Sequence, residues 1–270
     1  MRVVVTGASG FIGATLIKAL SQDTQFEVIA VSRQKISTSS KVNNYLVDDY
    51  QNSPDGDVLI HLAENPNIYK RIISNDDKLV TSLLSGRYDF SIYISSQLMY
   101  GDKSEFPHSP SEKVVPYNNY TINKYNKESQ FLSFGGLVVR LANVYGYDMD
   151  SSTVISEIIS QIPGKGPINI KNESAVRDFI WIEDVGLGLA SLLKKPTPGI
   201  FNLGTGVGTS VKNIALMCLE NSGDISRHIV SDKENSSTIV LDIEKTIKKF
   251  NWKPAVTISD GLSRLVRNKL

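Results

Sequence analysis

The sequence predicts an α/β fold, a doubly wound parallel sheet with a smaller C-terminal lobe, and three observations carry that reading. A β-branched run ends in a glycine turn that opens into a helical pattern, Arg2-Val3-Val4-Val5-Thr6-Gly7-Ala8-Ser9-Gly10-Phe11-Ile12-Gly13. Apolar strand-like runs then recur between segments of helical periodicity. After Gly146 the elements shorten and gain turn residues, as in Pro163-Gly164-Lys165-Gly166-Pro167.

Arg2 to Val5 reads as a buried strand, and Phe11, Ile12, Leu16 and Leu20 have the spacing of a helix lying on a sheet. A second strand, Phe26 to Val31, follows at the distance a βαβ unit requires. Further runs at Val58 to Leu62, Ser91 to Ser95 and Leu137 to Leu141 extend the sheet. Tyr117 to Leu132 and Ile182 to Leu193 read as helices, and the stretch after Gly146, through that second helix and the run from Gly199 to Gly204, as a chain crossing between two lobes. Residues 1–146 are therefore expected to form the sheet domain, with returns at about 176–204, and residues 147–175 and 205–270 the smaller lobe.

Bulk composition narrows the function. The chain has 270 residues, with 29 basic against 28 acidic. Such a balance gives no broad field to steer nucleic acid or an anionic membrane, and favours a small, locally recognised ligand. The single cysteine, Cys218, excludes an intramolecular disulfide and sits among Ile214, Leu216, Met217 and Leu219 as core filling, so no metal cluster is expected on it. Met1 leads straight into the first strand and no apolar run approaches a membrane span, so the expected compartment is the cytoplasm.

The opening turn has the chemistry of a pyrophosphate site. Gly7 supplies unusual backbone angles, Gly10 admits a ligand to the main chain, and Gly13 lets helix and strand pack closely. Around them Ser9, Phe11 and Ile12 lie where a helix N-terminus presents unpaired N–H groups to phosphate. The spacing is G-x-x-G-x-x-G. Where an NAD site usually places an acid at the end of the second strand, this chain has Ser32-Arg33. A guanidinium binds a 2′-phosphate that a carboxylate would repel, which favours NADP(H); the alternative is a solvated strand-end arginine. Asp48 or Asp49 sits where an acid could meet the adenine amine, or is an ordinary loop carboxylate.

Two further features supply a reaction. Ser95-Ser96-Gln97-Leu98-Met99-Tyr100-Gly101 closes a strand and puts hydroxyls at the carboxyl edge of the sheet, where open α/β folds bind ligands. Tyr120 and Lys124, four residues apart on a helix, share one face. An ammonium beside a phenol favours phenolate, so Tyr120 is expected to exchange a proton near neutral pH with Ser96 holding the substrate oxygen; a surface Tyr/Lys pair is the alternative. Tyr117 and Tyr125 lack a lysine at this spacing.

Taken together, Thr6-Gly7-x-x-Gly10-x-x-Gly13, His61-Leu62-Ala63, Ser96 with Tyr120-x-x-x-Lys124, Arg140 to Gly146, Arg177 to Val185 and Asn202 to Gly206 resemble the extended short-chain dehydrogenase/reductase family, the NAD-dependent epimerase/dehydratase group, in order along nearly the whole chain. Leu241 to Lys245 and Phe250 to Pro254 resemble the C-terminal helix and turn of that group. The resemblance implies a Rossmann lobe, a nucleotide-sugar substrate between the lobes, and hydride transfer between nicotinamide and a sugar carbon. It places Ser96, Tyr120 and Lys124 as catalytic, with Tyr120 and Lys124 also on the cofactor, and Leu62 and Ala63 as backbone contacts to it. Ser96, Gln97, Asn143 and Arg177 fall on the substrate, although Arg177 could instead pair with Asp178 or Glu183. His61 reads as a packed strand-end residue. The oligomeric state stays open, a homodimer through helices of the Rossmann lobe being a common arrangement in the family.

Departures from the family refine the activity. The 4,6-dehydratases carry Asp-Glu after the catalytic hydroxyl, whereas here those positions are Gln97 and Leu98, which cannot shuttle a proton. The double epimerase-reductases use a cysteine and a histidine near the substrate, and Cys218 lies far along the chain. The stretches after Tyr50 and Ile68 are short, and the arginine usual near Ser237 to Leu241 is missing. The expected activity is NADP(H)-dependent reduction of a 4-keto (6-deoxy) sugar nucleotide. The alternatives are a 4-epimerase holding NAD tightly and, from another class, a non-catalytic cofactor-sensing protein.

Overall fold

A computed structural model describes residues 1–73, 76–102, 107–232 and 236–270. Among them seven parallel strands pair into one sheet: β1 (Arg2–Thr6), β2 (Glu27–Ser32), β3 (Val42–Leu46), β4 (Val58–His61), β5 (Phe90–Ser96), β6 (Leu137–Leu141) and a late strand, Gly199–Leu203. In space the order is Gly199–Leu203, β6, β5, β4, β1, β2, β3. The strand direction reverses its march at β1 and β4, so their carboxyl ends open the crevice in which such folds bind ligands.

Alternation along the strands assigns the two faces. Val3, Val5, Val28, Ala30, Ile60, Ile92 and Val139 face one way and are buried with Leu16, Ile17 and Leu20 of α1 (Phe11–Leu20). Val4, Ile29, Leu59, Tyr93 and Val138 face the other way, under α2 (Asp76–Leu84) and α3 (Asn119–Ser133). Strands buried on both faces read as continuous apolar runs, which is why they stand out in the sequence. The exception is β3, an edge strand with four exposed residues out of five and no apolar run.

Beyond β6 the chain builds a second layer. The strand β7 (Asn143–Tyr145) pairs with β9 (Ala175–Trp181), between which lie α4 (Val154–Ser160) and β8 (Ile168–Ile170). Helix α5 (Ile182–Leu192) then returns to pack Val185, Leu189 and Leu192 into the α1 side of the main sheet. It leads into β10 (Gly199–Leu203), the late strand of that sheet. The remaining elements are β11 (Gly208–Ser210), α6 (Val211–Ser222), β12 (Ile229–Ser231), β13 (Ser237–Ile239), α7 (Glu244–Phe250) and α8 (Ile258–Lys269). Here β9 is the centre of a second sheet, parallel to β7 and β13 and antiparallel to β11.

A separate core of Ile155, Ile158, Phe179, Trp181, Ile214 and Leu262 holds this lobe. Cys218 belongs to it, fully buried, with its thiol pushed up to about 12 by burial. No helix among the described residues is long and apolar enough to cross a membrane.

Candidate active site

The glycine turn has the geometry of a ligand cradle. Gly7 has φ 74°, and a side chain there would meet the backbone of Leu62 and Ala63 at 2.8–3.0 Å. A Cβ on Gly13 would strike the carbonyl oxygen of Gly7, so helix and turn can meet only without side chains. Gly10 caps α1 with no side-chain hydrogen bond, and a Cβ there would have only the Gly7 oxygen within 4 Å. That combination, an uncapped helix N-terminus and an open main chain, fits a dinucleotide pyrophosphate. Ser9 lies on the rim of a cavity of about 410 Å³ formed with Lys18, Ser37, Thr38 and Ser39.

At the end of β2, Ser32 is buried and donates to the Gln34 carbonyl at 2.5 Å. Arg33 is exposed, its guanidinium 5.5 Å above the Tyr50 ring centre. Asp48 is exposed, while Asp49 accepts from the Gln51 backbone and caps the short helix at Tyr50–Asn52. His61 is fully buried between Tyr93 and Phe131 and shares a 2.8 Å hydrogen bond with Thr6. Burial and then Lys127 lower it to about 3, so it is a neutral packed residue.

Helix α3 brings Tyr120 and Lys124 to the sheet. Its start is set by Asn118, which accepts from the Thr121 backbone while Thr121 reaches back in a capping box. Lys124, Lys127, Glu128 and Phe131 are buried against the sheet on one face, and Tyr120, four residues before Lys124, is half-buried at its upper end. The hydroxyls of Ser96 and Tyr69 act on the Tyr120 phenol, both in the direction that favours its ionised form. Ser96 itself ends β5 and accepts from the Leu98 backbone at 3.2 Å.

The expected pull of Lys124 on the phenol is corrected by the structure. Burial pushes Tyr120 up to about 12, and the Glu64 carboxylate adds to the rise against the hydrogen bonds of Ser96 and Tyr69. The Lys124 ammonium lies 5.8 Å from the Tyr120 ring centre, donating instead to Glu64 Oε1 at 2.6 Å and to the Ile94 carbonyl at 2.8 Å. An ammonium paired that closely to a carboxylate has little field left for a third group.

At the start of β7, Asn143 lines a cavity of about 320 Å³ with Tyr145, Thr153 and Phe179. Arg177 pairs with neither Asp178 nor Glu183: it donates to Val176 O and Ser237 O at 2.8 Å and to Ser237 Oγ at 2.6 Å. Asp178 instead accepts from Thr205 and the Gly206 backbone. Gln97 is fully buried, and its amide has no hydrogen-bond partner among the described residues.

Several residues here carry no motif. Tyr69 stacks on Tyr120 at 4.6 Å between ring centres, and Asn123 pins the loop beneath it by bonding Ile68 O, Arg71 O and Ile73 N at 2.8–2.9 Å. Glu64 stands directly after Ala63. A carboxylate beside the cofactor segment and an asparagine on the buried face of α3 were the only sequence signals for them.

This is the fold and site of a short-chain dehydrogenase/reductase. Residues 3–204 match the NAD dependent epimerase/dehydratase family, and the chain belongs to that family, as an NAD(P)-dependent enzyme of this type. It is 28% identical to a GDP-6-deoxy-D-talose 4-dehydrogenase of Aggregatibacter actinomycetemcomitans over 87% of this chain and 83% of the relative. It is 25% identical to a dTDP-4-dehydro-6-deoxyglucose reductase of Escherichia coli over 79% of this chain and 68% of the relative. A UDP-glucuronic acid 4-epimerase of Bacillus cereus, solved with UDP-glucuronic acid and NAD, superposes with TM-score 0.84, 24% identity and complete coverage of both chains.

Proposed function

We propose that this enzyme reduces a 4-keto (6-deoxy) sugar nucleotide with NADPH, Tyr120 giving the proton. The carrying observation is the place of Tyr120 at the start of α3, above Lys124 and beside the end of β5 where Ser96 stands at the carboxyl edge of the sheet, with burial pushing the phenol up to about 12. A ketone reduction needs a proton donor at that place, whereas oxidation of an alcohol needs a base.

Gly7, Gly10 and the N-terminus of α1 would hold the pyrophosphate, and Leu62 and Ala63 would line the nicotinamide side. Bound there, the reduced cofactor supplies a hydride to the carbonyl carbon. Ser96 orients the carbonyl oxygen, and Tyr120 passes its proton to that oxygen, leaving an alcohol. Lys124 lies on the same side as a donor for the nicotinamide ribose. Arg33, exposed at the end of β2, would take a 2′-phosphate. Asn143 and Arg177 would read the nucleotide and diphosphate, Arg177 by giving up Ser237.

Support comes from three sides. Gln97 and Leu98 stand where dehydratase chemistry needs two acids, and the amide of Gln97 neither gives nor takes a proton near neutral pH. The Aggregatibacter and Escherichia relatives carry names that place their reactions at position 4 of a 6-deoxy sugar. The charge at the end of β2 is positive rather than negative.

Incubation of the purified enzyme with 4-keto-6-deoxy sugar nucleotides and NADPH, followed by loss of NADPH absorbance, tests the reading. Tyr120→Phe is expected to bind NADPH normally and to lose about 10²–10⁴-fold in rate. A near-normal rate overturns the role of Tyr120. Native mass spectrometry of the fresh protein is expected to show no bound dinucleotide; retained NAD would instead establish the 4-epimerase.

A further inference from the structure

We propose that Glu64 is a positioning residue: it neutralises the Lys124 ammonium so that Tyr120 rests as a phenol, which sets the site for giving a proton rather than taking one. The inference deepens the reductase reading and rests on it for its direction, but its physical content concerns the resting enzyme alone.

Glu64 is the hub of a buried charge cluster. Its Oε1 accepts from Lys124 Nζ at 2.6 Å and from Tyr93 OH at 2.8 Å, and its Oε2 accepts from Lys127 Nζ at 2.7 Å. Both lysine side chains are almost inaccessible, 6% and 3% exposed, against 25% for Glu64. Two ammonium groups in such surroundings demand a carboxylate. Burial alone would raise the Glu64 carboxyl, yet Lys124 and Lys127 together hold it down to about 2, so it is charged at every working pH.

The consequence falls on Tyr120. Two of the three N–H donors of Lys124 are committed, to Glu64 and to Ile94 O. Its ammonium also lies 4.9 Å over the Tyr93 ring, closer than to that of Tyr120. At a third group, charges 2.6 Å apart act as a dipole whose field falls away faster than that of a single charge. The other groups facing the phenol are Ser96 from β5, Tyr69 from the loop after β4, and Tyr117 before α3. Among the described residues, none of these three carries a positive charge. His61 of β4 also faces Glu64, and it is neutral.

A lysine without this partner would favour phenolate, the form that removes a proton from an alcohol. Glu64 therefore biases the same tyrosine, serine and lysine toward ketone reduction. It does so from a loop, one residue beyond the segment against which the Gly7 turn is packed.

The test uses full-length protein labelled with ¹³C at the tyrosine ζ-carbon, without substrate or cofactor, with Tyr120→Phe assigning the resonance. In the parent protein Tyr120 is expected to stay protonated to the alkaline limit of the folded state. Glu64→Gln should lower its midpoint by about one pH unit or more, and Glu64→Asp, which keeps the charge, should leave it high. If the unbalanced ammoniums of Glu64→Gln prevent folding, Glu64→Gln/Lys127→Met removes one charge of each sign and should show the same fall. An unchanged midpoint in these variants, or an equal fall in Glu64→Asp, overturns the proposal. Because no turnover is measured, a lowered midpoint in a protein that reduces no keto sugar would support the role of Glu64 while overturning the reductase assignment.

Discussion

The carboxylate of Glu128 on α3 grips the guanidinium of Arg140 on β6 through two hydrogen bonds, 3.1 Å to Nε and 2.7 Å to Nη2, with both side chains 2% exposed. Ser95 Oγ donates to the same carboxylate at 2.5 Å, and the Arg140 guanidinium stacks 4.8 Å from the centre of the Tyr100 ring. Glu128 is one helical turn beyond Lys124 and two beyond Tyr120, so the pair fixes the rotation of α3 that presents both residues to the sheet edge.

Removing one partner of this pair strands a buried charge. Glu128→Gln is expected to cost about 3–5 kcal/mol in urea unfolding, and the double change Glu128→Leu/Arg140→Met markedly less, because no charge is then left alone. A loss below about 1 kcal/mol in the single variant would show that the pair does not anchor the helix.

Cofactor choice is expected to rest on Arg33. Arg33→Ala should weaken NADPH binding about ten- to a hundredfold, as for loss of a charge-assisted contact worth about 1.5–3 kcal/mol. NADH affinity should stay within about twofold, since it has no 2′-phosphate. Fluorescence titration of both cofactors checks this, and equal losses for the two would remove Arg33 from phosphate recognition.

Acid should destabilise the protein in two stages. His61 binds a proton near 6.5 in the unfolded chain but only near 3 when folded, through burial and then the charge of Lys127. Its stabilising contribution is complete above pH 6.5 and is lost as pH falls toward 3. Glu64, free at 4.5 and folded at about 2, contributes fully above pH 4.5 and loses that contribution toward pH 2. Stability is therefore expected to fall from just below pH 6.5, at up to about 1.4 kcal/mol per pH unit for each proton taken up on unfolding. His61→Gln should flatten the part of the urea-midpoint profile above pH 4.5. A profile unchanged by that substitution would mean the imidazole is not held neutral.

Much of the architecture is legible in the chain because the strands that form it are buried on both faces. Val3 to Val5 and Leu137 to Leu141 announce themselves as apolar runs, whereas β3 at the sheet edge, with Asn43, Asn44, Tyr45 and Leu46 exposed, carries no such mark. The candidate site divides the same way. Tyr120 and Lys124 are found by local spacing on one helix, and the cradle by glycines that cannot bear side chains. Glu64 is 60 residues from Lys124 along the chain, and Ser237 is likewise 60 from Arg177, so no local pattern links them.

The amino-acid order alone determined the parallel sheet, the glycine turn before α1 and the spacing of phenol and ammonium on α3, because each depends on neighbours within a few residues. Only the tertiary structure decided what that ammonium does. Folding places the Glu64 carboxylate 2.6 Å from it and turns a charge that would ionise Tyr120 into half of a buried ion pair. Electrostatic effects depend on distance through space and on exclusion of water, and neither is written in the order of residues.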